Sequence, residues 1–252
     1  MKISIITIVY NNRQYIKDCI ESVLEQNYTN IEHIVIDGNS TDGTQKIIER
    51  YKDKLGIYIS EKDSGLYNAL NKGIIKATGD IIGILHSDDL FYSKDTITNL
   101  IKEFNGTNAD VVYSNGVFVN RDDISEVKRI YIAKTFKKWY LNWGWIPLHT
   151  GIFVKKEALG KIGLYDESYR IASDYDFSIK LFKGNFNYHF WDNYVVKMRL
   201  GGKSTTPSLQ KLKSKEDLDI IRRHKLSGYF TLFCKISRKI PQYLKPLFIK
   251  TI

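Results

Sequence analysis

Three apolar runs that each stop at polar residues constrain the fold of this chain most. Residues 3–9 end in Tyr10-Asn11-Asn12, residues 34–36 end in Asp37, and residues 81–85 end in His86-Ser87-Asp88-Asp89. Such runs, separated by helical stretches, read as parallel strands covered on both faces. Ligands of these sheets bind just past the carboxyl ends of the strands. Acids and amides from three strand ends therefore converge on one crevice. An acidic crevice that holds a phosphate needs a cation to bridge the two.

The stretches between the strands support this. A helix is expected over 13–25, where Ile16, Ile20, Val23 and Leu24 follow helical spacing and Asn12 can cap the start. A strand at 31–36, a turn rich in cap formers at 37–44 and a helix through Tyr51 follow. Then come a strand at 57–60, a helix at 66–76, a strand at 80–85 and a helix at 95–104. This alternation predicts right-handed crossovers and a doubly wound α/β unit, a Rossmann-like and mostly parallel sheet with helices on both faces. Beyond it the texture changes. Strands are expected at 111–120, 125–133, 148–154 and 187–198, with a helix at 174–182. Trp139, Trp143 and Trp145 crowd a loop-rich segment, and from Pro207 onward the pattern is helical and basic.

Charge is unevenly placed. The chain carries +10 over 252 residues, but residues 203–252 hold 12 Lys/Arg against 3 Asp/Glu. The basic character thus belongs to the tail. There, Tyr229, Leu232, Phe233, Ile236 and Ile240 follow helical spacing, with Lys235, Arg238 and Lys239 elsewhere on the wheel. This fits a basic amphipathic helix on an anionic membrane surface through residues 227–250. The same stripe also suits packing on the body. Cys19 and Cys234 give no disulfide framework and suit a reducing compartment. No signal peptide or membrane span is expected, which implies a cytoplasmic protein, peripheral on the inner face of the membrane if the tail binds there.

The first turn excludes two ways of holding phosphates. It has none of the glycines of a dinucleotide-binding turn, and no Gly-Lys-Ser/Thr phosphate loop occurs. A divalent metal on carboxylates remains. Asp88 and Asp89 directly follow a buried strand and offer hard oxygen ligands for Mn2+ or Mg2+. His86 is a second ligand, a donor to a nucleotide, or a packed residue.

At this point the chain resembles family 2 glycosyltransferases of the GT-A fold, over about residues 1–205. The start Ser4-Ile5-Ile6-Thr7-Ile8-Val9-Tyr10-Asn11 looks like the family's opening. Asp37-Gly38-Asn39-Ser40-Thr41-Asp42-Gly43-Thr44 is similar to its DGSTDGT stretch. Residues 63–73 look like its D-x-G-x-x-x-A-x-N-x-G block. Ser87-Asp88-Asp89 matches the end of its D-x-D-D metal motif, Ser173-Asp174 falls at its Glu-Asp catalytic pair, and Gly201-Gly202-Lys203-Ser204 resembles a G-G-x-S close.

The resemblance implies an inverting, metal-dependent transferase that moves a sugar from a nucleotide-diphosphate donor, UDP by family default, to an acceptor hydroxyl. Its setting would be bacterial envelope or capsule assembly, with a saccharide or lipid-linked saccharide acceptor. Thr7, Tyr10 and Asp37 would hold base and ribose, Asp63 and Asn71 the nucleotide or sugar, and Asp88 the metal with Asp89 in support. Residues 1–105 would form the donor half, 106–205 the acceptor half and 206–252 a basic helical extension. Three departures stand out: His86 at the first D-x-D position, Ser173 where Glu is common, and Leu70 where some members place an Arg near the phosphates.

Displacement with inversion needs one general base opposite the leaving group. Residues 171–177 offer Asp174 and Asp176. With Ser173 as N-cap, Asp176 at N3 completes a capping box, which leaves Asp174 to project into the crevice as base. Trp145 and His149 are expected acceptor contacts, although the tryptophans read equally well as a core cluster. A nucleotidyl- or phosphotransferase using the same acids, and a nucleic-acid-binding protein acting through the tail, are the competing functions. The first lacks a basic cluster in residues 1–202, and no nucleic acid is expected.

Overall fold

The computed structural model describes residues 1–201 and 207–247. The first half alternates as the pattern predicts: β1 (Ile3–Val9), α1 (Ile16–Leu24), β2 (Ile31–Asp37), α2 (Thr44–Glu49), β3 (Ile57–Ser60), α3 (Leu66–Lys76) and β4 (Ile81–Ile84). β1 is buried along its whole length and pairs in parallel with β2 on one side and β4 on the other. Both of its faces are covered. Ile6 and Ile8 pack with Leu70 and Ile74 of α3, while Val9 packs with Ile16 and Ile20 of α1. Because successive strand side chains point to opposite faces, a run apolar at nearly every position fits only this sandwiched place.

The second half adds β5 (Leu90–Phe91), α4 (Thr96–Thr107), β6 (Val111–Val119), β7 (Val127–Tyr131), β8 (Ile152–Lys155), α5 (Lys156–Ile162), α6 (Ser173–Lys183) and β9 (Tyr188–Arg199). These extend the same sheet in the order β3-β2-β1-β4-β8-β6-β9-β5, with β7 also on β6. The sheet is parallel from β3 to β4 and mixed beyond. β8 runs antiparallel to both β4 and β6, and β9 returns parallel to β6. Gly83 makes the first junction possible, since a Cβ there would stand 2.7 Å from the Phe153 ring.

Local expectations shift in three places. The strand expected at 148–154 begins at Ile152, because His149–Gly151 forms one 3-10 turn. Asn12 does not cap α1 with its side chain. Its carbonyl accepts the Ile16 N–H at 3.2 Å, while its amide donates to Ser87 Oγ at 2.8 Å. α6 starts at Ser173 itself, so no Ser173–Asp176 capping box forms. The Glu216 carboxylate accepts the N–H groups of Arg170, Ile171 and Ala172 instead, each at 2.9 Å.

The tail folds as α7 (Pro207–Arg223), α8 (Gly228–Ser237) and α9 (Ile240–Leu244). Ile220 and Ile221 of α7 pack on Tyr169, Ala172 and Tyr175. α8 sits in a reversed manner. Its polar side holds the body: Thr231 Oγ1 donates to Asn142 O at 2.8 Å, Lys235 pairs with Asp217 at 2.6 Å, and Arg238 Nη1 donates to Gly144 O at 2.8 Å. Its apolar side faces out, with Tyr229 68 %, Phe233 70 % and Ile236 53 % exposed. Among the described residues no helix is long and apolar enough to cross a membrane.

Candidate active site

The carboxyl ends of β1, β2 and β4 open onto one cavity of about 1240 Å³. Tyr10, Asn11, Gly38 and Asp63 line one part of it. Two asparagines turn the chain away from the strands in left-handed conformations, Asn11 with φ 49° and Asn39 with φ 64°, which asparagine tolerates better than most residues. The two turns are then joined. Asn11 N donates to Ser40 Oγ at 2.8 Å, and Thr41 N donates to Asn11 Oδ1 at 2.8 Å. Gly38 is required by close approach, since a Cβ there would lie 2.4 Å from Asp63 Oδ2.

Three expected donor contacts lie behind this wall rather than in it. Thr7 points from β1 toward α1, where its hydroxyl meets His33 Nε2 at 3.0 Å. Asp37 is fully buried and accepts from Ser40 N at 3.1 Å, Ser60 Oγ at 2.6 Å and Gln45 Nε2 at 3.1 Å, which shapes the loop after β2. Asn71 clamps α3 to the 165–167 loop, donating to Tyr165 O at 3.0 Å and accepting from Tyr165 N at 2.9 Å. Their side chains are spent on holding the cavity wall. Tyr10 and Asp63 do line the cavity.

Asp88 also lines it, 21 % exposed, with Arg121 Nη1 3.7 Å from its Oδ2. Asp89 is more deeply set. Its Oδ1 accepts the Arg199 N–H at 3.1 Å, and its buried Oδ2 has no hydrogen-bond partner. Burial and the neighbouring Asp88 charge push its pKa well above the ordinary carboxylate value. A half-buried carboxylate on the cavity wall beside an orphaned buried carboxylate oxygen is a donor set that fits a hard divalent cation. Among the described residues no group of three or more His, Cys, Asp or Glu forms a metal cage. Further ligands would have to come from a substrate.

Arg121 is a residue the sequence pattern did not single out. It sits in the β6–β7 turn and is brought beside Asp88 by that hairpin. Asp122 next to it accepts from Tyr15 OH at 3.0 Å, which docks the turn on α1. Arg199 completes the corner, donating to Asp88 O at 2.8 Å and to Asp18 Oδ2 at 2.6 Å.

Asp174 lines the same cavity from the first turn of α6. Its Oδ2 is 3.8 Å from His149 Nδ1, and Tyr67 OH is 3.4 Å from its Oδ1. Burial disfavours its carboxylate, but the positive fields of His149, Lys213 and Lys235 and the Tyr175 N–H outweigh that and lower its pKa. Burial and His86 push His149 itself down to about 4, so near neutral pH the lysines carry this field. Asp176 points the other way, bound to His224 Nε2 at 2.8 Å and Lys180 at 2.6 Å. It keeps a structural role, with partners other than the expected cap.

Trp145 is not an acceptor platform. It is 3 % exposed and packs edge-on against Tyr113 and Phe182. His149 does reach the cavity. The tail also reaches it, through Lys213, Lys239 and Tyr243. Of the Gly201-Gly202-Lys203-Ser204 segment, residues 202–204 lie outside the described residues.

Residues 4–187 match the family described as Glycosyl transferase family 2. An uncharacterized glycosyltransferase of Rickettsia prowazekii is 31 % identical over 225 residues, covering 86 % of this chain and 70 % of the relative. A mannosyltransferase of Pyrobaculum calidifontis, solved with GDP-Man and Mn2+, superposes with a TM-score of 0.68 at 19 % identity, covering 98 % of this chain and 74 % of that one. Residues 1–349 of S. aureus TarS, solved with UDP-GlcNAc, superpose with a TM-score of 0.66 at 19 % identity, covering 87 % and 67 %.

Proposed function

The chain belongs to glycosyl transferase family 2 and is a glycosyltransferase of the GT-A fold; from that premise we propose that it transfers a sugar with inversion from a nucleoside-diphosphate donor, UDP by expectation, to an acceptor hydroxyl. The observation that carries this is the presence of Asp88 and Asp174 on the wall of one cavity, Asp88 beside Arg121 and Asp174 in the field of Lys213 and Lys235. Nucleotide sugars bound to TarS and to the mannosyltransferase support the donor class.

In this reading Tyr10, Asp63 and the backbone at Gly38 hold the nucleoside. Asp88, with Asp89 Oδ2, would hold Mn2+ or Mg2+, as the Mn2+ in the mannosyltransferase suggests. Such an ion supplies charge neutralisation for a departing diphosphate. Arg121, 3.7 Å from Asp88, adds a fixed positive charge and does the work that Leu70 cannot. Asp174 accepts the proton of the acceptor hydroxyl. Its lowered pKa keeps it ionised near neutral pH, as a base must be. Tyr67 and His149 fix its orientation. Residues 1–105 then serve chiefly the donor and 106–205 chiefly the acceptor, with Arg121 reaching across to the diphosphate and Tyr67 to the base.

The setting we propose is bacterial surface polysaccharide assembly at a membrane surface, met by the apolar side of α8 and not by the basic side expected to bind an anionic one, since Lys235 and Arg238 hold the body. The outward apolar face of α8 supports it, together with Trp139 and Trp143, each about half exposed and the latter 5.2 Å from the Phe230 ring. Of residues 227–250, those from 248 onward lie outside the described residues. The test is a panel of nucleotide sugars with and without Mn2+ or Mg2+, scored by nucleotide release. One donor is expected to stand out, and only with metal. Equal release with EDTA present would remove the metal-dependent mechanism.

A further inference from the structure

The cavity has a second charged region away from Asp88. Arg129 of β7, Lys213 of α7 and Lys239 at the α8–α9 junction line it, with Tyr243 beside them. All three cations are half-buried. Among the described residues none of them has a carboxylate within 4 Å. Their neighbour Lys235 does, being paired with Asp217 at 2.6 Å and seated 3.4 Å over the Tyr175 ring.

Arg129 is held without being neutralised. Its Nε donates to Gln242 Oε1 at 2.8 Å, and its guanidinium lies 4.2 Å from the Phe118 ring centroid. Gln242 is itself oriented by donating to Arg238 O at 3.0 Å. These contacts position a charge and leave it uncompensated. The cations also repel one another. Burial, then Lys213, Lys235 and Arg129, push the Lys239 amine down to about 8. Clustered like charges in a concave site are unfavourable for folding alone, and such arrangements concentrate where a ligand of opposite charge completes them.

The position of the cluster selects the ligand. The donor diphosphate already has Asp88 with its cation, and Arg121. Lys213 instead acts on Asp174 and His149, the residues that meet the acceptor in the reading above. Ile240 and Leu244 are exposed on the same short helix as Tyr243, which lines the cavity. We propose that Arg129, Lys213 and Lys239 form an acceptor subsite that binds a phosphate group, so that the acceptor is phosphate-bearing. This rests on the glycosyltransferase reading of the cavity. The exposed apolar residues of α9 favour a phosphate carried on an alkyl chain over a free sugar phosphate.

The test uses the full chain and two probes in EDTA-containing buffer, decyl phosphate below its micellar range and glycerol 3-phosphate, read by calorimetry. Decyl phosphate is expected to bind saturably. The double variant Lys213→Gln/Lys239→Gln is expected to weaken it at least about tenfold, as loss of charge-assisted bonds implies. Lys239→Arg, which keeps the charge, is expected to stay within about threefold of the parent. UDP binding with Mn2+, measured on the same samples, is expected to be the same in the double variant and the parent, which separates loss of the subsite from loss of the fold. Equal decyl phosphate affinity in parent and double variant overturns the subsite. So does an absence of saturable binding by the parent, and UDP binding then decides whether the donor reading falls with it. Glycerol 3-phosphate binding as tightly as decyl phosphate assigns recognition to the phosphate alone; selective decyl phosphate binding assigns part of it to the chain.

Discussion

His86 and His149 face each other through their Nε2 atoms, 2.7 Å apart, so one ring donates and the other accepts. That arrangement requires at least one neutral ring. Burial favours the neutral form of both, with His149 held down to about 4. The pair lies between the Asp88 turn and Asp174, with His149 Nδ1 3.8 Å from Asp174 Oδ2.

We propose that His149 positions Asp174, the base of the mechanism proposed above. Replacing it with Ala is expected to lower kcat about tenfold, since a misplaced reacting group costs up to roughly a hundredfold. Donor affinity is expected to stay unchanged. His149→Asn, which retains a polar atom near Asp174, is expected to recover part of kcat. A tenfold loss of UDP affinity in His149→Ala would instead place the ring in donor binding.

Asp174 and Asp88 are separable by experiment. Asp174→Asn is expected to leave metal-dependent UDP binding intact and to reduce transfer by about 10²–10⁴, the usual contribution of a general base. Asp88→Ala is expected to abolish the dependence of UDP affinity on Mn2+. Calorimetry with and without EDTA, beside single-turnover transfer, reads both. Unimpaired transfer by Asp174→Asn would remove it from the base role.

The strands, the crossovers and the place of Asp88 at a strand end were legible in the sequence because their signals are local; Asp174 also reaches the cavity, but from the first turn of α6 and without the capping box on which its selection rests. An apolar run bounded by acids states its burial and its exit within ten residues. Thr7, Asp37 and Asn71 were not legible as wall residues. Their direction depends on which face of the element they occupy, and on partners such as His33 and Tyr165 from other elements. Arg121, Lys213 and Lys239 reach the cavity only through packing of distant segments. The spacing of α8 identified an apolar and a basic side correctly. It did not say which would dock, because that was settled by the buried Lys235–Asp217 pair and the Gly144 carbonyl. Trp145 followed its core reading because Tyr113 and Phe182 close around it.

Gly38 tests the donor wall. A methyl there would meet Asp63 Oδ2 at 2.4 Å and the Tyr10 ring at 3.3 Å. Asp63 cannot swing away freely, because its Oδ1 accepts the Gly65 N–H at 3.0 Å. Gly38→Ala is expected to weaken donor binding about tenfold, within the 1–3 kcal/mol that overpacking costs. Asp174 chemistry should be spared, so kcat at saturating donor is expected to fall far less than kcat/KM. An unchanged donor KM would show that this wall does not touch the nucleotide.

Stability should depend on pH through histidines that the fold holds below their ordinary pKa, His33 and His149 among them. His33 is 2 % exposed, its Nδ1 has no hydrogen-bond partner, and burial holds its pKa down to about 3. His149 is held down to about 4. Both folded values lie below the unfolded value of about 6.5. Between those limits the unfolded chain binds more protons than the folded one, so stability rises with pH and falls on acidification. The loss begins as pH drops through about 6.5, and each ring contributes up to about 1.4 kcal/mol per pH unit until its folded pKa is reached. Glu32 acts in a lower window. Burial opposes its charge, but bonds from Lys2, Ser4 and Thr78 prevail and hold it down to about 2, so its stabilisation is lost only as pH falls below about 4.5. Urea unfolding at pH 7 and pH 5 spans this window; Asp89, held above the ordinary carboxylate value, works in the opposite direction there, so the comparison with His33→Gln is what singles out His33. The parent is expected to lose stability between these points, and His33→Gln is expected to lose less. An equal slope in the two proteins would mean that His33 is not the group that takes up the proton on unfolding.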